Sequence, residues 1–257
     1  MTTPVHAVLD AYRIAVAELP GSAVASRDAE GSVVVVPGDG AWWAAVVDAV
    51  AAGAAAVVVA KPGAAPIEAL DALASVAGAV PIVVERPLLR ADVVTQVGGA
   101  VAGLPSPGAL AVECHARAHT LAAALRDAIG WARVLAGAPL TRRAEQSWGG
   151  RALALLESDR GTAVSVVAAA QPGAPILGRV RVTTIAESRV EVDADLDIVV
   201  AITDAGGRRI APARFESTER VALRRTIAAL RGRGQVSDLA DLRHDTALAE
   251  ALLTPSA

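Results

Sequence analysis

Residues Val33 to Pro62, VVVVPGDGAWWAAVVDAVAAGAAAVVVAKP, constrain the fold more than any other stretch. Two β-branched runs, Val33–Val36 and Val57–Val59, flank a segment from Ala41 to Ala52 whose apolar residues recur at helical spacing. Strands that are apolar throughout, without polar alternation, are those buried on both faces, as in a parallel sheet covered by helices. Gly53 ends the helix, because glycine tolerates the left-handed backbone of a helix terminus. In a parallel strand-helix-strand unit, ligands gather at the carboxyl ends of the strands. Pro37-Gly38-Asp39-Gly40 and Lys61 both fall there. Lys61 is therefore the first candidate for an active-site residue.

A core for such a sheet must come from Ala, Val and Leu, since 53% of residues are hydrophobic but only 2% aromatic; Trp42, Trp43, Trp131 and Trp148 are scarce large fillers. The 24 basic and 27 acidic residues leave a net charge of −3, which provides no attraction for nucleic acid or an anionic membrane. A small neutral or mildly anionic ligand fits this balance better. The single Cys114 excludes an intrachain disulfide, and the start MTTPVHAVLDAYR has no basic n-region followed by an apolar h-region, so a cytoplasmic protein is expected. Apolar runs such as Val50 to Ala60 fall short of the ~20 residues that cross a bilayer.

With 257 residues, the chain has room for two modest domains. Val5 to Leu19 reads as an amphipathic helix stopped by Pro20-Gly21, and Ala23 to Ser26 as a short strand. Glu68 to Val76 reads as a helix, and Pro81 to Glu85 as a buried strand leading into Arg86-Pro87, where a first domain of residues 1–87 ends. Residues 88–257 have a different texture. Leu88 to Val97 and Thr120 to Leu135 are helical, whereas Leu110 to Cys114, Ala152 to Leu156, Ala163 to Ala169, Arg179 to Ile185, Arg189 to Asp193 and Asp197 to Thr203 read as strands. Several alternate apolar and polar residues, as an antiparallel sheet with one open face should. Ser217 and Ser237 are placed to cap two closing helices, Ser217 to Leu230 and Ser237 to Leu253. The expected fold is α/β plus α+β: a truncated Rossmann-like parallel layer, then a domain with a mostly antiparallel open sheet and flanking helices.

Strand, proline loop, helix ending in Ala-Gly, strand and then Ala60-Lys61-Pro62 resembles the Gfo/Idh/MocA oxidoreductases, in which that last tripeptide is Glu-Lys-Pro. Phe215-Glu216 leading a helix, then Ser237-Asp238 and a helix ending Leu248-Ala249-Glu250-Ala251, is similar to the closing pattern of the same family. The resemblance runs from Val33 to Leu253. It implies an Asp-x-Gly-x-His motif opening the first helix of the second domain, which maps in chain order to His115-Ala116-Arg117-Ala118-His119. His119 matches the histidine, His115 stands in place of the aspartate, and Arg117 in place of the glycine. His115 and His119 thus join Lys61 as candidate catalytic residues, expected to converge with it on one pocket at the domain seam. Read from the residues alone, they are equally polar residues near a strand end and a helix start. No third ligand accompanies them, so no metal is expected.

The family opens with a strand, a Gly-x-Gly-x-x-Gly turn and a helix that hold a dinucleotide, because backbone N–H groups must approach the pyrophosphate. The first glycine here is Gly21, so the amino-terminal region reads as truncated. Asp28 lies near the place of the ribose-binding acid, and Pro37 and Gly38 are the remaining cofactor-binding candidates. Two function classes follow from the resemblance. One is an NAD(P)-dependent oxidoreductase acting on a sugar or polyol. The other is a sugar-binding protein degenerate in cofactor binding, or a companion subunit of a cofactor-binding paralogue; for the isolated chain, no bound cofactor is expected. A homodimer through the open sheet is expected as well, on the side carrying Val180, Val182 and Thr184.

Overall fold

The computed structural model describes residues 2–102, 104–234 and 236–254 and divides into two compact units. Residues 1–87 and 215–243 form the first, and residues 88–214 and 244–257 the second. The chain opens with β1 (Thr3–Ala7), α1 (Asp10–Ala17) and β2 (Ala23–Ala25), followed by β3 (Val33–Pro37), α2 (Trp42–Ala51), β4 (Ala56–Ala60), α3 (Ile67–Ala77) and β5 (Ile82–Glu85). The second unit brings α4 (Ala91–Val101), β6 (Ala109–Ala116), α5 (Leu121–Ala136), β7 (Leu140–Trp148), β8 (Arg151–Ser158), β9 (Ala163–Ala170), β10 (Arg179–Ile185), β11 (Arg189–Ala194), β12 (Ile198–Asp204) and β13 (Gly207–Ile210). The chain then returns to the first unit with α6 (Thr218–Leu230) and the first residues of α7 (Asp238–Leu253).

In the first unit, five parallel strands lie in the order β2-β1-β3-β4-β5. Side chains alternate across a strand, so each valine run fills two cores. Val34, Val36, Val57 and Val59 pack with Trp42, Val46, Leu70, Leu73 and Leu242 beneath α2, α3 and the start of α7. Val33, Val35, Val58 and Val83 pack on the other face with Tyr12, Val16, Leu223 and Ile227 of α1 and α6. β5 is an edge strand, and Asp238 protects that edge: Val84 N donates to Asp238 Oδ2 at 2.9 Å, while Arg225 grips the same carboxylate at 2.7 and 2.9 Å. Ser217 caps α6 as its sequence predicts, accepting from Arg220 N at 3.3 Å.

The amino-terminal expectation is overturned. Val5 belongs to a strand and not to a helix, and the opening strand, turn and helix of a dinucleotide fold are present, so this region is not truncated. Pro4 makes this an unusual strand to find with partners on both sides, because a proline removes a ladder donor and ordinarily argues against such a placement. Pairing decides otherwise: β1 is hydrogen-bonded on both sides, with Val5 opposite Ala25 and Val33, and Val5 is buried.

In the second unit, eight strands follow the order β13-β12-β11-β10-β6-β9-β8-β7, antiparallel except for the parallel β6–β9 pair. The apolar face receives α5, whose Leu125, Ile129 and Trp131 pack on Val112, Cys114, Val166, Val180 and Val182. A buried polar clip fixes the entry into this unit. Asp127 Oδ2 accepts from Leu88 N at 3.2 Å, Asp127 Oδ1 accepts from Arg126 Nε at 3.2 Å, and Trp131 Nε1 donates to Leu88 O at 2.6 Å. Val180, Val182 and Thr184, assigned to the open side by sequence, are buried on this helix-covered face. Their period-2 pattern identified one face correctly but could not say which face the helix would cover.

Candidate functional site

Lys61 is the only lysine of the chain; the other 23 basic residues are arginine. It follows the last residue of β4 at the carboxyl end of the parallel sheet and, among the described residues, is the only non-glycine with positive φ, at 54°. A left-handed non-glycine residue costs free energy, so neighbouring structure must hold it there. The loop after β3 does so. Gly63 N donates to Gly38 O at 2.7 Å, and a Cβ at Gly38 would lie 2.6 Å from both the carbonyl carbon and the oxygen of Lys61. Gly38 is thus required by close backbone approach, and the Pro37-Gly38 loop is the seat on which the Lys61 backbone rests.

The Lys61 side chain remains 54% exposed, yet its ammonium is engaged. Nζ donates to Glu219 Oε1 at 3.2 Å and lies 3.7 Å from Glu85 Oε1. Glu85 ends β5 with only 3% of its side chain exposed, and it accepts from Tyr12 OH at 2.6 Å and from Thr218 Oγ1 at 2.7 Å. Glu219 sits in the first turn of α6, where the helix dipole favours an acid. Partial burial alone would lower the Lys61 pKa. The charge of Glu85 and the hydrogen bond to Glu219 outweigh it and hold the ammonium above its ordinary range. Burial likewise pushes the Glu219 carboxyl up, but its own backbone N–H and the Lys61 charge pull it below the usual value. Burial beside Glu85 drives the Tyr12 phenol far up, so it stays a donor.

Sequence reasoning missed Tyr12, Glu85, Thr218 and Glu219. The lysine count was one available signal, and an acid closing the buried strand Ile82–Glu85 was another. Of the other candidates, His115 lies in β6 and His119 in the turn before α5, both in the second unit. The two histidines do not share a helix. His115 follows the open-face parity of Glu113, opposite Ala169 and Arg179 in register, and its buried Nδ1 has no partner. His119 is exposed. Arg117 donates to Ala174 O at 3.2 Å. Cys114 is fully buried, and burial, then the Asp127 charge, push its thiol up to about 12, which removes it as a nucleophile near neutral pH. No group of three metal-ligating side chains occurs among the described residues.

Asp28 follows β2, Pro37 ends β3, and the β1–α1 turn lies between them in sheet order, so the three share the edge at which a parallel sheet binds nucleotides. The residues in that turn do not fit a pyrophosphate. Val8 and Leu9 form the turn, which holds no glycine, and Asp10 places a carboxylate in the first turn of α1, where phosphate oxygens would otherwise face N–H groups. Arg13 closes over the turn, donating to Ala7 O at 3.2 Å and to Asp10 Oδ1 at 3.0 Å.

Solved structures of the same architecture match over nearly the whole chain. A UDP-N-acetylglucosamine 3-dehydrogenase, GnnA from Acidithiobacillus ferrooxidans, matches with a TM-score of 0.75 at 16% identity, covering 98% of this chain and 96% of its own. The chain has the Gfo/Idh/MocA fold. KijD10, a 3-ketoreductase from Actinomadura kijaniata solved with TDP-benzene and NADP, matches at 0.67 and 15% identity over 98% and 96%; the dehydrogenase MviM from Clostridium difficile matches at 0.70 and 10% over 98% of each chain. No family model and no curated relative matches the sequence. At these identities the likeness is one of fold. No helix among the described residues is long and apolar enough to cross a membrane.

Proposed function

We propose that this chain is a Gfo/Idh/MocA-type protein that binds a sugar or polyol at the carboxyl edge of its parallel sheet, with Lys61 donating a hydrogen bond to a hydroxyl or carbonyl oxygen of the ligand. One observation carries this reading. The only lysine of the chain is held in a left-handed conformation at the strand end, over a glycine whose missing side chain makes that conformation possible. The neighbours GnnA and KijD10 are named for reactions at position 3, which supports a sugar-like ligand. A β1–α1 turn of Val8 and Leu9 without glycine, and Asp10 opening α1, support a chain that does not retain NAD(P) by itself.

Oxidoreductase activity remains the second reading, favoured by the presence of the complete β1-α1-β2 opening. A companion role beside a cofactor-binding paralogue is compatible with the first reading. Self-association uses the open face of the second sheet, where Leu153 and Val167 are opposite in register and lie exposed with Leu155.

Calorimetry decides between the readings. Losing two charge-assisted phosphate contacts, each worth roughly 1.5 to 3 kcal/mol, weakens a dinucleotide by ~100-fold or more, so NAD and NADP are expected not to bind at micromolar concentration. Sugar or polyol binding is expected to be lost in Lys61→Ala. Tight NAD or NADP binding would restore the oxidoreductase, and unchanged sugar binding by Lys61→Ala would remove that lysine from the site.

A further inference from the structure

An ammonium carries three N–H donors. At Lys61, one is given to Glu219 Oε1 at 3.2 Å and a second faces Glu85 Oε1 at 3.7 Å, while more than half of the side chain stays open to solvent. The two carboxylates come from different elements, the end of β5 and the first turn of α6. Each is itself fixed. Glu85 is held from below by Tyr12 OH at 2.6 Å, and Thr218 Oγ1 sits 2.7 Å from Glu85 and 3.2 Å from Glu219, joining the two acids. Tyr12 is fully buried, so the network is rooted in the core beneath α1.

We propose that Glu85 and Glu219 are positioning residues that clamp the Lys61 ammonium between them, leaving its third N–H as a fixed hydrogen-bond donor to an oxygen of the ligand. The clamp assigns Lys61 a role and excludes two others. A lysine serving as a general base or as an amine nucleophile has to lose its proton, as when it is desolvated or set beside another cation. Two carboxylates do the opposite. They stabilise the ammonium, consistent with the raised Lys61 pKa, and orient it without neutralising it. Arginine would not substitute, because its planar fork cannot place three tetrahedral donors around one point. A clamped ammonium also rejects cationic ligands and prefers an oxygen that is carbonyl-like or carries partial negative charge.

The ligand role rests on the sugar-site reading above, but the clamp is measured without any ligand. Because the chain has one lysine, ε-¹³C-lysine labelling gives a single side-chain resonance, which is titrated in the wild type, Glu219→Gln and Glu85→Gln. The wild-type midpoint is expected above that of free lysine, lower in each variant and lowest in the double variant. Glu219→Gln decides the matter alone if Glu85→Gln does not fold. Midpoints equal in wild type and folded Glu219→Gln overturn the clamp even if a sugar binds. A clamp that titrates as described in a protein binding no sugar overturns only the function proposed above.

Discussion

Replacing Gly38 by alanine tests whether the left-handed Lys61 is built by backbone contact with the preceding loop. The added Cβ would fall 2.6 Å from the Lys61 carbonyl carbon and oxygen, and closer still to the Ala60 carbonyl oxygen. Reaching even 3.0 Å at Lys61 requires a shift of about 0.4 Å, and every obstructing atom is backbone, so no rotamer change relieves it. Overpacking of this kind costs about 1 to 3 kcal/mol. Strain on the 2.7 Å bond from Gly63 N to Gly38 O adds about 1 kcal/mol, for a destabilisation of about 2 to 4 kcal/mol in all. Two controls separate sterics from glycine loss. Gly40→Ala meets nothing within 4 Å but sits at φ 55°, for a cost of about 1 to 2 kcal/mol. Gly21→Ala meets nothing and needs no special φ, so it stays within about 0.5 kcal/mol. Urea unfolding followed by hydrogen exchange at the β4 amides reads the first unit by itself. A Gly38→Ala protein within about 0.5 kcal/mol of wild type, with an unmoved Lys61 resonance, would refute the seat.

Three further outcomes are expected. The Lys61 contribution to stability is fully present below the ordinary lysine value of 10.5 and is lost as pH rises through its raised folded pKa; the Glu219 contribution is present above its ordinary value of 4.5 and is lost as pH falls through its lowered one, so between 4.5 and 10.5 neither Lys61 nor Glu219 tilts the stability curve. A Glu219→Gln protein that keeps the same acid-side decline would count against the pair. Cys114, with its thiol pushed up to about 12, is expected to resist thiol reagents at pH 8 until urea unfolds the second unit, and prompt labelling of native protein would contradict its burial. Light scattering is expected to give a dimer mass that falls to monomer in Leu155→Glu; wild type scattering as monomer across micromolar concentrations would exclude pairing through that face.

The sequence by itself determined the two fold classes, the parallel valine strands and the candidacy of Lys61, because these rest on local periodicity and on where a strand ends. The Ser217 cap was legible for the same reason: its partner, Arg220 N, is three residues away. Only the tertiary structure decided what depends on distant pairing. β1 passed for helix because Val5, Val8, Leu9 and Tyr12 recur at helical spacing, and its identity comes from β2 and β3 on its two sides. The polar edge strands β7 and β13 left no apolar signal, since β13 is exposed throughout and β7 nearly so. Val180, Val182 and Thr184 share a face in any strand, yet burial was conferred by α5, more than 40 residues earlier in the chain. The Lys61 clamp lies furthest from sequence reach. Its acids stand 24 and 158 residues away, and nothing short of packing α6 onto the parallel sheet brings them to one ammonium.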